Sequence, residues 1–314
     1  MTGQALVTGA TGFIGGRLSV ALADAGWDVR CLVRDRRRAV VLEEHGFELQ
    51  EADMLRPDTL AGVGRGVDVA YYLVHSMGRG ADGDFPGRER AAAKAFARMA
   101  REDGVAQVVY LGGLGDEAQS EHLRSRHDTA LLLQEHGPPL TYFRAAMVVG
   151  AQSESFQTLK YLVKRLPVMI APAWLGKDTQ PIAIDDVLQY LVQAPATEAA
   201  RGGEVQIGGP DVLTYGEMLD RTADVLGVRR RPRLPVPLLT PWLSSLWIGL
   251  VTPVDAGVAR PLIEGLATPT VVTDPFAADL FDVRPMDFDE ALRQAVAEDR
   301  RQETDRRTDQ SVPP

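Results

Sequence analysis

The chain has 314 residues, of which 45% are hydrophobic and 25% are charged, and its net charge is −9. This balance is typical of a folded globular protein and excludes a disordered or collagen-like chain. The negative charge excludes a general electrostatic attraction to nucleic acid. With the single cysteine Cys31 and no cysteine–histidine cluster, we expect neither a disulfide nor a metal site. We expect a cytoplasmic protein without a signal peptide or a transmembrane segment.

Strand-like and helix-like hydrophobic patterns alternate through the first half of the chain. The predicted elements, in chain order, are a strand at 4–8, a helix at 13–25, strands at 28–33 and 67–74, a helix at 88–103, a strand at 107–111, a helix at 124–135 and a strand at 140–149. Such alternation predicts an α/β fold with a doubly wound parallel sheet and helices on both faces.

The first strand leads into a glycine-rich loop, residues 8–15 (TGATGFIG), and a helix follows it at once. In this context Gly9 allows a tight turn, Gly12 leaves room for a pyrophosphate, and Gly15 lets the helix pack closely on the strand. The free N–H groups at the start of the helix suit a phosphate. The pattern predicts a dinucleotide-binding loop whose cofactor contacts are Gly9, Thr11, Gly12, Phe13, Ile14 and Gly15.

After residue 150 the elements become shorter, with helices predicted at 156–165, 184–193 and 215–226 and a strand at 205–207. We therefore divide the chain into two interleaved parts and a tail. The parts are a Rossmann dinucleotide-binding domain at 1–150, to which 181–208 return, and a smaller C-terminal substrate part at 151–180 and 209–297. Residues 298–314 carry mixed charges without an apolar period, which predicts a flexible tail.

The longest apolar stretch, residues 235–254, contains four prolines and is therefore a poor membrane span. Its Trp242 and Trp247 predict an apolar cover that takes a hydrophobic small molecule. Two alternatives stay open for this stretch. Its aromatic residues also suit an ordinary core, and it could make a peripheral contact with a membrane, although it lacks a basic face.

The glycine loop and several later segments resemble the short-chain dehydrogenase/reductase superfamily in its extended and atypical branches. Within it, the chain is similar to NmrA-like and complex I accessory-subunit-like proteins, over about residues 4–297. The resemblance implies a Rossmann fold and NAD(P) binding, with Leu73, Val74 and Gly112 among the cofactor contacts. It also implies that Asp53 binds the adenine amino group, whereas a role as a turn residue near Pro57 is the alternative. The matching segments are Asp53, 72–75, 110–113, 143–150, 184–187 and 207–217.

The end of the second strand decides between the two nicotinamide cofactors. Arg34 lies nineteen residues beyond Gly15, and its guanidinium suits the 2′-phosphate of NADP. The neighbouring Asp35 favours NAD instead, because a carboxylate repels that phosphate. We predict NADP, with NAD as the alternative, and a solvated charge run is the structural alternative for residues 34–38.

The resemblance implies a tyrosine four residues before a lysine, with a serine upstream, but this chain departs from that pattern. His122 stands in the place of the tyrosine and Arg126 in the place of the lysine, and Gly112 or Gly113 replaces the serine. His122 is a candidate proton donor, with Arg126 bound to the cofactor. The alternative is a solvated helix start. His75, after the fourth strand, is a second candidate donor or a strand cap.

These observations predict an NAD(P)-dependent oxidoreductase that acts on a hydrophobic carbonyl, enone or quinone-like molecule. The missing tyrosine–lysine pair leaves two alternatives open. One is a non-catalytic NAD(P)-binding sensor or assembly factor, and the other is an isomerase or cyclase that retains the cofactor. Arg144, in an otherwise apolar strand, must be paired if it is buried, so we expect a structural ion pair, with substrate contact as the alternative.

Overall fold

The computed structural model describes residues 3–74, 85–116, 118, 120–165, 168–171, 173–235 and 268–309. The chain divides into two compact units. The first unit comprises Met1–Ala145, Val187–Ile207 and Val272–Val283, and the second comprises Ala146–Asp186, Gly208–Val271 and Arg284–Pro314.

The strands and helices are numbered here in chain order. The strands are β1 (Gln4–Thr8), β2 (Asp28–Val33), β3 (Glu48–Glu51), β4 (Val69–Tyr72), β5 (Gln107–Gly113), β6 (Leu140–Ala145), β7 (Val148–Val149), β8 (Met169–Ala171), β9 (Asp178–Thr179), β10 (Ile182–Ala183), β11 (Glu204–Ile207), β12 (Leu213–Thr214) and β13 (Arg233–Pro235). The helices are α1 (Phe13–Asp24), α2 (Val40–Glu44), α3 (Phe85–Glu102), α4 (Glu121–His136), α5 (Glu154–Arg165), α6 (Ile184–Gln193), α7 (Tyr215–Leu226), α8 (Phe276–Leu280) and α9 (Phe288–Asp309).

The first unit is built on a sheet in which the described residues supply seven strands, in the order β11-β6-β5-β4-β1-β2-β3. All of the pairings in this sheet are parallel. The strand order reverses between β1 and β4, and in open α/β sheets a ligand crevice forms at this point, at the carboxyl ends of the strands. The predicted fold class, a doubly wound parallel sheet, is confirmed.

The ends of several helices follow from local chemistry. Helix α4 begins after Ser120, whose hydroxyl oxygen accepts a hydrogen bond from the backbone N–H of Leu123. Helix α7 begins with a capping box, in which Thr214 and Glu217 bind each other's backbone N–H groups, and it ends at Gly227, with φ of 69°.

Each unit has its own hydrophobic core. In the first unit, aromatic side chains on β4, β5 and β6 pack with α3, and Tyr72 and Phe96 lie 5.0 Å apart between ring centroids. In the second unit, α5, α7 and α9 pack around Phe156, Met218 and Leu292, which are fully or almost fully buried. Burial of such side chains contributes about 1.5–3 kcal/mol each to the free energy of unfolding.

Residues 298–309, which the sequence predicts as part of a flexible tail, continue α9 as a helix to Asp309. The physical reason is an ion-pair cluster. The ammonium group of Lys160 on α5, whose side chain is only 7% exposed, binds the carboxylates of Asp299 and Glu303. The predicted strand at 140–149 is also divided into β6 and β7, and β7 pairs with β10 in the second unit.

No helix within the described part of the chain is long and apolar enough to cross a membrane. Across the same residues, no group of three or more histidine, cysteine or acidic side chains is arranged to hold a metal ion. His75, Trp242 and Trp247, which the sequence analysis named, lie outside the described residues.

Candidate functional site

The glycine loop between β1 and α1 is a close turn that tolerates no side chain at two positions. Gly9 has a φ of +67°, and a Cβ there would lie 2.6 Å from the carbonyl oxygen of Leu73. A Cβ on Gly15 would lie only 2.3 Å from the carbonyl oxygen of Gly9. Both distances are below any normal contact, so the loop and the start of α1 pack this closely only because both residues are glycine.

The N-terminus of α1 is open to a ligand. Gly12 is the N-cap residue, no side chain of the described residues binds the first N–H groups, and the first turn carries no acidic residue. Thr11 and Gly12 are exposed, and Phe13 and Ile14 are half-buried. Free N–H groups and the positive end of the helix dipole favour an anion here.

A buried hydroxyl fixes the neighbouring strand end. The Oγ1 of Thr8 donates to the carbonyl oxygen of Tyr71 at 3.0 Å and accepts from the N–H of Leu73 at 2.9 Å. Thr8 therefore holds the end of β1 against the end of β4 and positions Leu73 and Val74, two of the predicted cofactor contacts. Thr8 is not among the predicted cofactor contacts. The signal was a hydroxyl residue in the last, buried position of an apolar strand.

Arg34 and Asp35, which follow β2, differ in their charge partners. The carboxylate of Asp35 accepts from Arg37, with distances of 3.1 Å to Nε and 3.0 Å to Nη2. This hydrogen bonding holds the pKa of Asp35 below its usual value. Arg34 is exposed, and none of the described residues forms a hydrogen bond or an ion pair with it. The arrangement leaves a free guanidinium beside a carboxylate that already has a cationic partner.

Asp53 is the turn residue that the alternative interpretation described. Its Oδ1 accepts from the N–H of Leu55 at 3.0 Å, and its own N–H donates to Thr59 at 2.9 Å. These bonds use one carboxylate oxygen, and Oδ2 has no hydrogen-bond partner among the described residues. Asp53 is therefore held in place by its turn and keeps an oxygen for a ligand.

His122 and Arg126 lie on α4, four residues apart, so they share one face of the helix. Both side chains are half-buried. The guanidinium of Arg126 donates from Nη2 to the carbonyl oxygen of Leu111, near the end of β5, and its Nε is buried without a partner among the described residues. The structure thus places the guanidinium of Arg126 near the carboxyl end of β5.

Gly112, one of the two glycines in the place of the superfamily's serine, lies against a tyrosine of the next strand. A Cβ on Gly112 would lie 2.6 Å from Cε2 and 2.8 Å from Oη of Tyr142. The ring of Tyr142 therefore fills the space that a side chain at position 112 would need. Sequence patterns gave no signal for this contact, because the two residues are neighbours only through the pairing of β5 with β6.

Arg144 ties β6 to the loop after β5. It is 8% exposed, and it donates from Nε to Gly113 at 3.1 Å and from Nη2 to Gly115 at 2.7 Å. Its Nη1 is 3.0 Å from Oε1 of Glu204. The expected ion pair is present, and Arg144 shapes the loop that precedes α4.

The residues of this site fit a dinucleotide phosphate group on structural grounds. The backbone turn at Gly9 and Gly15 has no room for side chains, and the N-terminus of α1 is uncapped by any described side chain. Gly12 and Thr11 would lie against the pyrophosphate, and Arg34 against a phosphate on the ribose.

Comparison with known proteins agrees with this geometry. Residues 1–174, more than half of the chain, match the family model described as "NmrA-like family". A ceramide reductase of Caulobacter vibrioides is 26% identical over 276 residues, which cover 85% of this chain and 86% of the relative. The photosystem II assembly factor Ycf39 of Cyanophora paradoxa is 30% identical over 145 residues, which cover 44% of each protein, so this match spans less than half of that relative.

The fold is also found in solved structures. The triphenylmethane reductase of Citrobacter sp., crystallised with NADP(H), superposes with a TM-score of 0.71 at 17% identity, covering 93% of this chain and 99% of the other. At this identity the likeness shows the fold alone. The family match, the glycine loop and the sheet order lead to one conclusion: the chain belongs to the NmrA-like family.

Proposed function

We propose that this protein is an NADPH-dependent reductase of a hydrophobic small molecule that carries a carbonyl, enone or quinone-like group. The observation that carries the proposal is the pairing of Asp35 with Arg37, while Arg34 at the end of β2 has no partner among the residues that the structure describes. A free guanidinium binds a 2′-phosphate by charge-assisted hydrogen bonds, whereas an unpaired carboxylate there would repel it. The site therefore favours NADPH over NADH.

The names of similar proteins support the same class of reaction. The relative that matches most of this chain's length among those described above is named a ceramide reductase, and the solved structure described above is a reductase bound to NADP(H). The bound cofactor would supply a hydride. The residues of this chain would hold its phosphates at Gly12 and Arg34, while Arg126 and His122 face the reacting end from α4.

Binding and turnover test the proposal together. We expect calorimetry to show NADPH binding at least tenfold tighter than NADH, and NADPH absorbance to fall when menadione or 2-decanone is added. Gly12→Val should abolish NADPH binding because a branched side chain would occupy the pyrophosphate's place. Gly176→Val is the matched control, since a Cβ at Gly176 meets open space in the second unit. Absence of NADPH binding in the folded wild-type protein would overturn the proposal.

The second candidate is a non-catalytic NAD(P)-binding assembly factor. The match to Ycf39 and the absence of the tyrosine–lysine pair favour it. This candidate predicts NADPH binding with no oxidation of the cofactor in the presence of either carbonyl compound. It also predicts that a tagged wild-type protein retains a protein partner that Gly12→Val does not.

A further inference from the structure

Three tyrosines form a row across neighbouring strands of the first unit. The ring centroids of Tyr72 on β4 and Tyr110 on β5 lie 5.9 Å apart, and those of Tyr110 and Tyr142 on β6 lie 5.4 Å apart. Tyr72 and Tyr110 are 1% and 3% exposed, and the hydroxyl of Tyr110 donates to the carbonyl oxygen of Arg126. These two phenols, like the ring of Tyr142, are part of the hydrophobic core of the unit.

Tyr142 differs from the other two tyrosines in its position. Its side chain leans toward the carboxyl end of β5, because its Oη is the atom that a Cβ on Gly112 would meet at 2.8 Å. It is 6% exposed, and none of the described residues forms a hydrogen bond with its Oη. A phenol near the end of two strands with an unused hydroxyl has the chemistry of a hydrogen-bond donor to a ligand.

The surroundings keep this phenol in its donating form. Burial raises the pKa of Tyr142, and the charges of Arg144 and Arg126 lower it only in part. The ring also packs near the imidazole of His127, at 6.3 Å between centroids. Stacking on Tyr110 and contact with Gly112 leave the ring little freedom, so the hydroxyl is pre-organised.

We propose that Tyr142 contacts the substrate and donates, through Oη, the hydrogen bond that polarises the carbonyl oxygen of the electron acceptor. This inference rests on the proposed reductase function. It also gives a reason for Gly112, because the serine hydroxyl of the standard superfamily is replaced by a phenol that reaches the same place from β6. Tyr142, Arg126 and His122 would then replace the missing serine, lysine and tyrosine, respectively.

Tyr142→Phe tests the role of the hydroxyl, since it keeps the ring against Gly112 and removes only Oη. We expect kcat for menadione to fall about 10²-fold, as is typical when one donor to a developing oxyanion is lost. The KM for menadione and the Kd for NADPH should change less than about twofold. Tyr72→Phe is the matched control, because it makes the same change within the core, and its kcat should equal that of the wild type.

A rescue experiment separates the hydroxyl from packing. Tyr142→Leu opens the space beside Gly112, and the double variant Tyr142→Leu/Gly112→Ser places a serine hydroxyl in it. We expect the kcat of the double variant to be at least tenfold higher than the kcat of Tyr142→Leu. An equal or lower kcat in the double variant would contradict a role for the hydroxyl.

A spectroscopic readout does not depend on turnover. In protein labelled with [ζ-13C]tyrosine, the Tyr142 signal is identified by its absence in Tyr142→Phe. We expect this signal to shift when menadione is added to the NADP⁺ complex, and the Tyr72 and Tyr110 signals to stay in place. If NADPH is bound and oxidised but Tyr142→Phe is fully active and the signal does not move, this inference falls and the reductase stands. If NADPH does not bind, both fall.

Discussion

Arg37 holds the carboxylate of Asp35 with both its Nε and its Nη2, at 3.1 and 3.0 Å, and its backbone N–H donates to the same carboxylate at 3.0 Å. A carboxylate at the end of the second strand normally favours NAD. Here its charge is compensated within two residues, and on the proposed function we expect the cofactor preference to follow from Arg34.

Arg34→Ala should weaken NADPH binding about ten- to hundredfold and leave NADH binding nearly unchanged. The lost charge-assisted contact is worth about 1.5–3 kcal/mol, and only NADPH carries the phosphate that makes it. Isothermal titration with both cofactors measures the difference. Arg65→Ala is the control, because Arg65 is 81% exposed and precedes β4 at the opposite, amino-terminal edge of the sheet. Equal weakening of both cofactors would exclude Arg34 as the 2′-phosphate contact.

Arg37→Ala should lower the NADPH affinity about fivefold although Arg37 itself is not assigned to the cofactor. The variant uncovers the charge of Asp35, and repulsion from a phosphate about 4 Å away costs about 1 kcal/mol in water. The double variant Asp35→Asn/Arg37→Ala removes that charge and should return the NADPH affinity to the wild-type value. Without this recovery, the pairing of Asp35 with Arg37 has no part in cofactor choice.

His122→Phe should reduce turnover about 10²–10⁴-fold with little change in the Kd for NADPH, because a general acid acts on the reaction and not on cofactor binding. Stopped-flow absorbance of NADPH with menadione gives the rate. His45→Phe is the control, since His45 is exposed at the end of α2. Full activity of His122→Phe would show that another group donates the proton, and His75 would be the next residue to replace.

A buried acid in the second unit makes stability depend on pH. Burial raises the pKa of Asp186 to about 6, against 3.8 for a free side chain, although its Oδ2 accepts from the N–H of Met286 at 3.0 Å. Between pH 4 and pH 6 the unfolded chain therefore loses this proton before the folded chain does. The free energy of unfolding must fall as the pH rises through this range, and the loss is complete above about pH 6.

Asp186→Asn removes this ionisation and keeps an oxygen for the N–H of Met286. Relative to the wild type, the variant should gain about 1–3 kcal/mol in the free energy of unfolding between pH 4 and pH 7.5, measured by urea titration. Asp58→Asn changes an exposed carboxylate, 74% accessible, and should show no such gain. A constant difference between the wild type and Asp186→Asn across this range would contradict the shifted pKa.

The sequence predicts helices best where local chemistry marks both ends. Helices α6 and α7 have the predicted bounds, and α7 is delimited by the Thr214–Glu217 capping box and Gly227. Helix α9 was not predicted, and its charged end was assigned to a tail because its carboxylates bind Lys160, which lies 139 and 143 residues away in the chain. An apolar period, which the prediction required, is absent from this charged end of the helix, residues 298–309.

The same distinction applies to the candidate site. The glycine loop is visible in the sequence because its spacing has a backbone cause within one turn. The sequence does not show that Arg34 lacks a partner in the described part of the chain, because this depends on which side chain Arg37 binds. Tyr142 is hidden for a further reason. It lies thirty residues from Gly112, and only the register of β5 against β6 makes them neighbours.

The charged end of α9 sets a limit on how this protein can be shortened. A truncation before Asp299, which the sequence composition would suggest as harmless, removes both carboxylates that bind Lys160 and leaves its ammonium group, in a 7% exposed side chain, without those counter-charges. Loss of the partners of a buried charge costs about 3–5 kcal/mol, a large part of the stability of an ordinary domain. A protease that removes these residues would therefore lower the stability of the second unit and favour its unfolding.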